Sequence, residues 1–118
     1  ATSTPSQAPQ LQALRAAEID AYTQLAKRIV GFTLESKTTV ENYMLTSDVV
    51  KTKVLATMYL SELIDYGWDE NGDAFVKLAV NLQDISAILG QEIIGEDPII
   101  EVEGLGAQKD DFAEAQKQ

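Results

Sequence analysis

The sequence contains no cysteine and no histidine. Their absence removes thiol nucleophiles, disulfides, iron–sulfur ligands, the usual zinc sites and the Ser–His–Asp triad. Without cysteine the sequence also carries no mark of its redox compartment. Basic residues are scarce. Nine Lys and Arg stand against nineteen Asp and Glu, for a formal net charge of −10. Phosphate binding needs clustered cations, so nucleic acid is excluded as a partner, and adsorption to anionic headgroups is disfavoured. No apolar run approaches the roughly 20 residues of a membrane-spanning helix, so direct membrane insertion is not expected.

What is present suits one globular domain. The 118 residues are enough for a single core, and 45% hydrophobic with 24% charged content is ordinary. The start, Ala1-Thr-Ser-Thr-Pro-Ser, has the small residues that follow a signal-peptidase cut, which points to an exported protein. Residues 1–10 read as a flexible or extended N-terminal arm, 11–94 as one α+β domain, and 95–118 as a C-terminal arm.

The strongest periodic stretch is Leu11 to Gly31. Leu11, Leu14, Ala17, Ala21, Tyr22, Leu25, Ile29 and Val30 recur at three- and four-residue steps, so one helix face is apolar. Lys27 and Arg28 suit the negative end of its dipole, and Gly31 is a natural stop. Ala13, Ala16, Ala17, Ala21 and Ala26 keep parts of its surface thin enough for another backbone to approach closely.

Phe32 to Ser36 alternates as a short strand that Thr38-Thr39-Val40 would extend. Glu41 to Thr46 has no clean period. Ser47 or Thr46 would cap a second helix, with Asp48 in its first turn, running to about Thr57. Met58 to Trp68 reads as a long strand, with Leu63 on the opposite parity from Leu60, Ile64, Tyr66 and Trp68, as a bulge would produce. Asn71-Gly72 supplies the positive φ of a hairpin turn, and Ala74, Val76, Leu78 and Val80 form the partner strand. Leu82, Ile85, Ile88, Leu89 and Ile93 have helical spacing, with a stop near Gly90. Ile99 to Glu103 alternates as an edge strand, followed by Gly104-Leu105-Gly106 as a hinge.

Few groupings suggest chemistry. Asp69, Asn71 and Asp73 begin like a calcium loop, but the glycine is fourth rather than sixth and the twelfth position is Val80. Glu18 and Asp20 point in different directions on a helix. Glu101 and Glu103 share a strand face in a peripheral segment. Lys51 and Lys53 lack a phosphate-cradling glycine loop. Tyr22, Tyr43, Tyr59, Tyr66 and Trp68 are either core or the wall of a small-ligand pocket between helix and sheet. No catalytic, metal or cofactor site is expected. Ile99, Ile100 and Val102 form a candidate assembly strand, since an exposed alternating segment can add to a neighbour's sheet; a locally packed edge strand is the competing reading.

The run Leu14 to Gly31, LRAAEIDAYTQLAKRIVG, resembles the bacterial lipoprotein-20-like family of flagellar and envelope proteins, whose first helix follows RAA-x-x-DAYR-x-LAE-x-x-x-G. Arg15, Ala16, Ala17, Asp20, Ala21, Tyr22, Leu25, Ala26 and Gly31 match it. Thr23 and Lys27 stand where the family often has Arg and Glu. TTVENYMLTSDVVKTKVLA is similar to a second family segment through Thr38, Thr39, Val40, Ser47, Asp48, Lys53, Val54 and Ala56, and the turn at Asn71-Gly72 stands where relatives carry an Asp-Gly turn. The resemblance spans residues 13–82. It implies an α+β domain with a helix across an antiparallel sheet, and with the reading along the chain the expected fold is a long N-terminal helix packed on a small antiparallel sheet, with short additional helices and flexible terminal arms. It further implies a non-enzymatic exported protein that self-assembles as a ring or filament. Such a protein would be an envelope or flagellar component, or an extracellular filament subunit, in the periplasm, at the cell surface or outside the cell. Its partners would be its own copies and other flagellar or envelope proteins. A periplasmic small-ligand binding domain is the alternative.

Overall fold

The computed structural model describes residues 7–107. Seven elements follow in order: α1 (Gln7–Val30), α2 (Val40–Met44), α3 (Asp48–Tyr59), β1 (Glu62–Trp68), β2 (Ala74–Asn81), α4 (Leu82–Leu89) and β3 (Ile99–Gly106). The architecture is α+β. The long helix α1 packs on a three-stranded antiparallel sheet of order β1-β2-β3, lying mainly over β3 and β2.

The alanine stripe explains how helix and sheet meet. Ala13, Ala17 and Ala21, four residues apart, are fully buried. They face β3 where it carries Gly104 and Gly106. A Cβ on Gly104 would run into the carbonyl of Ala17 and the amide of Ala21; one on Gly106 would run into the carbonyl of Ala13. Backbone lies on backbone here because both surfaces lack side-chain bulk. Further along α1, where Leu25 and Ile29 replace alanine, the layers separate and the larger core forms. Leu25, Ile29, Leu34, Val40, Val54, Leu78 and Ile85 are its largest fully buried side chains.

The start of α1 lies four residues before Leu11, within the segment expected to be an arm. Pro9 is tolerated there because first-turn N–H groups need no helical acceptor. The strand expected at Phe32–Ser36 is a tight turn instead. It makes only single bridges, Thr33 to Thr39 and Leu34 to Ile93, and Lys37 takes a positive φ of 72°. The ambiguous segment after Thr39 is α2, capped by the Thr39 side chain, which accepts from the Asn42 N–H. Ser47 caps α3 through the Val50 N–H, and the helix continues to Tyr59. Met58 and Tyr59 are therefore helical, and the following strand is shorter than its alternation suggests. Gly90, at φ 69°, ends α4 in the left-handed conformation.

The C-terminal boundary expected at residue 95 is displaced. Ile99–Gly106 pairs along its whole length with Ala74–Asn81. Gly104 and Gly106 are buried contact points under α1 and do not act as hinges. Residues 1–6 and 108–118 of the expected arms lie outside the described residues.

Candidate assembly interface

The three-stranded sheet has two edges, and α1 treats them differently. On β3 the edge is closed. Asp20, Gln24 and Arg28 lie four residues apart on α1, beside the alanine stripe. Asp20 Oδ2 accepts from the Leu105 N–H at 2.9 Å, Gln24 Nε2 donates to the Glu103 carbonyl at 2.9 Å, and Arg28 Nη1 donates to the Glu101 carbonyl at 3.0 Å. Gln24 Nε2 also donates to Asp20 Oδ2 at 2.9 Å, tying the row together. These side chains take three backbone groups that a further strand would use, the Leu105 N–H and the Glu101 and Glu103 carbonyls.

On β1, among the described residues, α1 places no such side chains on the edge, and the strand's own Asp65 takes the outward Tyr66 N–H. Leu63, Ile64, Tyr66 and Trp68 are half exposed or nearly so, and the strand carries neither Lys nor Pro. Its register on β2 slips between Leu63 and Asp65, leaving Ile64 as the extra residue of a bulge.

The hairpin turn determines which backbone groups of β1 face outward. Asp69 N–H donates to the Asp73 carbonyl and Gly72 N–H to the Asp69 carbonyl, with Gly72 at φ 82°. This is a turn followed by a left-handed glycine, one of the common hairpin connections. The Asp69 carboxylate braces it by accepting from the Asn71 and Asp73 N–H groups. Since residues 69 and 73 are hydrogen-bonded, antiparallel alternation makes 67–75 and 65–77 bonded pairs as well. Tyr66 and Trp68 therefore direct their N–H and C=O groups away from β2. In agreement, the Tyr66 N–H bonds the Asp65 Oδ1 at 2.9 Å rather than a β2 carbonyl.

Of the aromatic residues, Tyr66 and Trp68 line this open side, while Tyr22 and Tyr43 pack partly buried against the core. Trp68 packs edge-on to Tyr66 at 6.4 Å between ring centroids, and its Nε1–H donates to the Gln10 carbonyl of α1. Tyr22 and Tyr59 meet at a tilt of 45° with ring centroids 5.6 Å apart, and the Tyr22 hydroxyl donates to the Tyr59 carbonyl at 3.3 Å. Between α1 and α3 they help line an open groove of about 440 Å³, together with Glu18, Ile19, Leu55 and Met58. This groove lies between two helices. The space under α1, where a ligand pocket between helix and sheet would lie, is filled by the alanine and glycine contacts.

The residues that resemble the family motif are spread over different tasks. Ala17, Ala21 and Leu25 are core, while Asp20 closes the β3 edge. Tyr22 and Ala26 border the groove, Arg15 and Ala16 are exposed, and Gly31 follows the end of α1. Ser47 is a cap, with Asp48 in the first turn of its helix. Of the candidate assembly strand, Ile100 and Val102 are buried under α1, and Ile99 is 49% exposed on the other face. The strand is thus occupied inside its own chain. The edge-closing role of Asp20, Gln24 and Arg28 is not among the sequence expectations, although a polar row at i, i+4, i+8 beside an alanine row is visible along the chain. Asp65 carries no comparable signal. Among the described residues, no group of three or more acidic, His or Cys side chains is placed to hold a metal, and no helix is long and apolar enough to cross a membrane. In comparisons with family models, curated proteins and solved structures, none matched this chain.

Proposed function

We propose that this chain is a non-enzymatic structural protein that acts by homo-oligomeric assembly. One observation carries the reading: of the two sheet edges, β3 has three backbone groups capped by α1 side chains, while β1 presents outward-facing backbone flanked by exposed apolar side chains. Native sheets generally cover or charge both edges, because an open edge recruits other strands. Leaving β1 without α1 side chains on it, with Leu63, Ile64, Tyr66 and Trp68 exposed beside Glu62 and Asp65, gives the molecule a place to join. The lipoprotein-20-like resemblance supports the same reading and supplies a setting: an exported protein of the envelope, flagellum or extracellular filament, working with its own copies.

Mass in solution tests this. Across a broad concentration range, light scattering or sedimentation should record growth from monomer to oligomer. A mass that stays monomeric at every concentration and salt level would sink the reading. The alternative, a small-ligand binding domain, draws support from the open groove beside Tyr22 and Tyr59. Native mass spectrometry of protein taken from its source separates the two, because a retained metabolite on a monomer is expected only of the ligand-binding module.

A further inference from the structure

The groove between α1 and α3 combines two aromatic rings with a single carboxylate. Glu18 and Tyr22 stand one turn apart on α1, and Tyr59 ends α3 across from them. The Tyr22 hydroxyl donates to the Tyr59 carbonyl, and the two rings meet at 45° as adjoining walls. Leu55 and Met58 of α3 add apolar lining. Among the described residues, Glu18 is the one charged side chain on the groove, and it has no hydrogen-bond or ion-pair partner. We propose that the groove binds a small organic cation, a quaternary ammonium whose alkyl groups lie on the tyrosine rings with its charge beside Glu18. The inference goes beyond the assembly reading and does not rest on it.

Charge and hydrogen bonding select this ligand chemistry. The side-chain donors of the groove are engaged: Tyr22 bonds the Tyr59 carbonyl, and Thr23 Oγ1 donates to the Ile19 carbonyl at 2.8 Å. An anion would therefore meet the Glu18 carboxylate with only the Tyr59 hydroxyl to donate to it. A cation is attracted by the carboxylate and by the faces of both rings, which carry negative charge density. The end of α3 adds to this attraction. It has no basic residue in its last turn, so the negative end of its dipole lies uncompensated at the groove. The apolar lining then decides between kinds of cation. A primary ammonium has three N–H donors to satisfy, and beside Leu55 and Met58 some would stay unpaired. A quaternary ammonium has none and brings alkyl groups to the same surface. At about 440 Å³ the groove has room for such a ligand.

Ligand-observed saturation-transfer NMR tests this on monomer and oligomer alike. The probes are choline, ethanolamine and the uncharged analogue of choline with carbon in place of nitrogen. Choline should bind with a dissociation constant of about 1 mM, as suits an open site with few contacts. A ligand held this weakly is not retained on purified protein, so such a site is compatible with assembly. Ethanolamine and the uncharged analogue should each bind about tenfold more weakly, the first through unpaired N–H groups and the second through loss of charge. Tyr59→Leu keeps the apolar bulk but removes a ring, and should weaken choline about fivefold. Glu18→Gln should weaken it about threefold. Tyr59 is 69% exposed and Glu18 is exposed, so neither variant disturbs the core. Equal binding of choline and its uncharged analogue would make the groove a plain apolar surface and overturn the proposal. Undiminished binding by both variants, or no saturable choline signal, would overturn it too. A chain that assembles without binding choline loses this site and keeps the assembly reading. One that binds choline as described yet stays monomeric keeps the site and loses that reading.

Discussion

Gly104 shows how much one missing side chain can decide. It lies at the point where β3 crosses the alanine stripe, and any Cβ there would point into the backbone of α1 at Ala17 and Ala21. Neither group belongs to a flexible side chain that could swing away. Gly104→Ala should therefore lift the helix from the sheet and cost about 3 kcal/mol, the upper range for an overpacked core, read as a lower urea midpoint. By contrast, the Lys77–Glu103 ion pair on the open sheet face is 3.8 Å long with both side chains more than 40% exposed. Removing it should change stability by less than about 1 kcal/mol. Ser47→Ala falls between these cases. It removes the acceptor for the first free N–H groups of α3 and should cost about 1 kcal/mol by the same measurement.

At the scale of the element, α1 does three things with three stripes. Alanine at 13, 17 and 21 lets β3 come close. Leucine and isoleucine at 25 and 29 build the core beyond. Asp20, Gln24 and Arg28 then close the strand edge that the alanines brought near. Close approach and edge closure depend on each other, since side chains of this length reach the β3 backbone only because the helix lies so low over it. Substituting Gln24 and Arg28 together with Ala should expose the carbonyls of Glu103 and Glu101 and give the sheet a second usable edge. The expected outcome is a fold that survives and oligomers that grow beyond the parent's size in light scattering. An unchanged mass would mean that the polar row does not guard the edge.

For the whole molecule, the question is which parts can be removed. Strand β3 is the main surface on which α1 rests, and it completes the sheet. A chain ending before Ile99 would leave α1 over two strands, with its alanine stripe bare. Such a truncation should lose its cooperative thermal transition in circular dichroism. A truncation that melts like the parent would show that 99–106 is the appendage its sequence resembles.

Much of this architecture follows from local chemistry. The 3.6-residue period of α1, the Ser47 cap, the Asn71-Gly72 turn, the alternation of β2 and the Gly90 stop each depend on residues within a few positions of one another, so each can be read along the chain. The departures from expectation have a common physical cause. Ile99-Ile100-Glu101-Val102-Glu103 with Gly104 and Gly106 looks peripheral until the alanines of a helix some 80 positions earlier are laid against it. Met58 and Tyr59 look like strand until the cap at Ser47 carries its helix through them. Tyr66 and Trp68 look like core until α1 is found to lie over β3 and β2 and to leave β1 largely uncovered. Composition and spacing are sufficient for a helix on an antiparallel sheet without cysteine or histidine chemistry. Which edge of that sheet is closed and which is open depends on contacts between residues far apart in the chain, and that asymmetry supports the functional proposal.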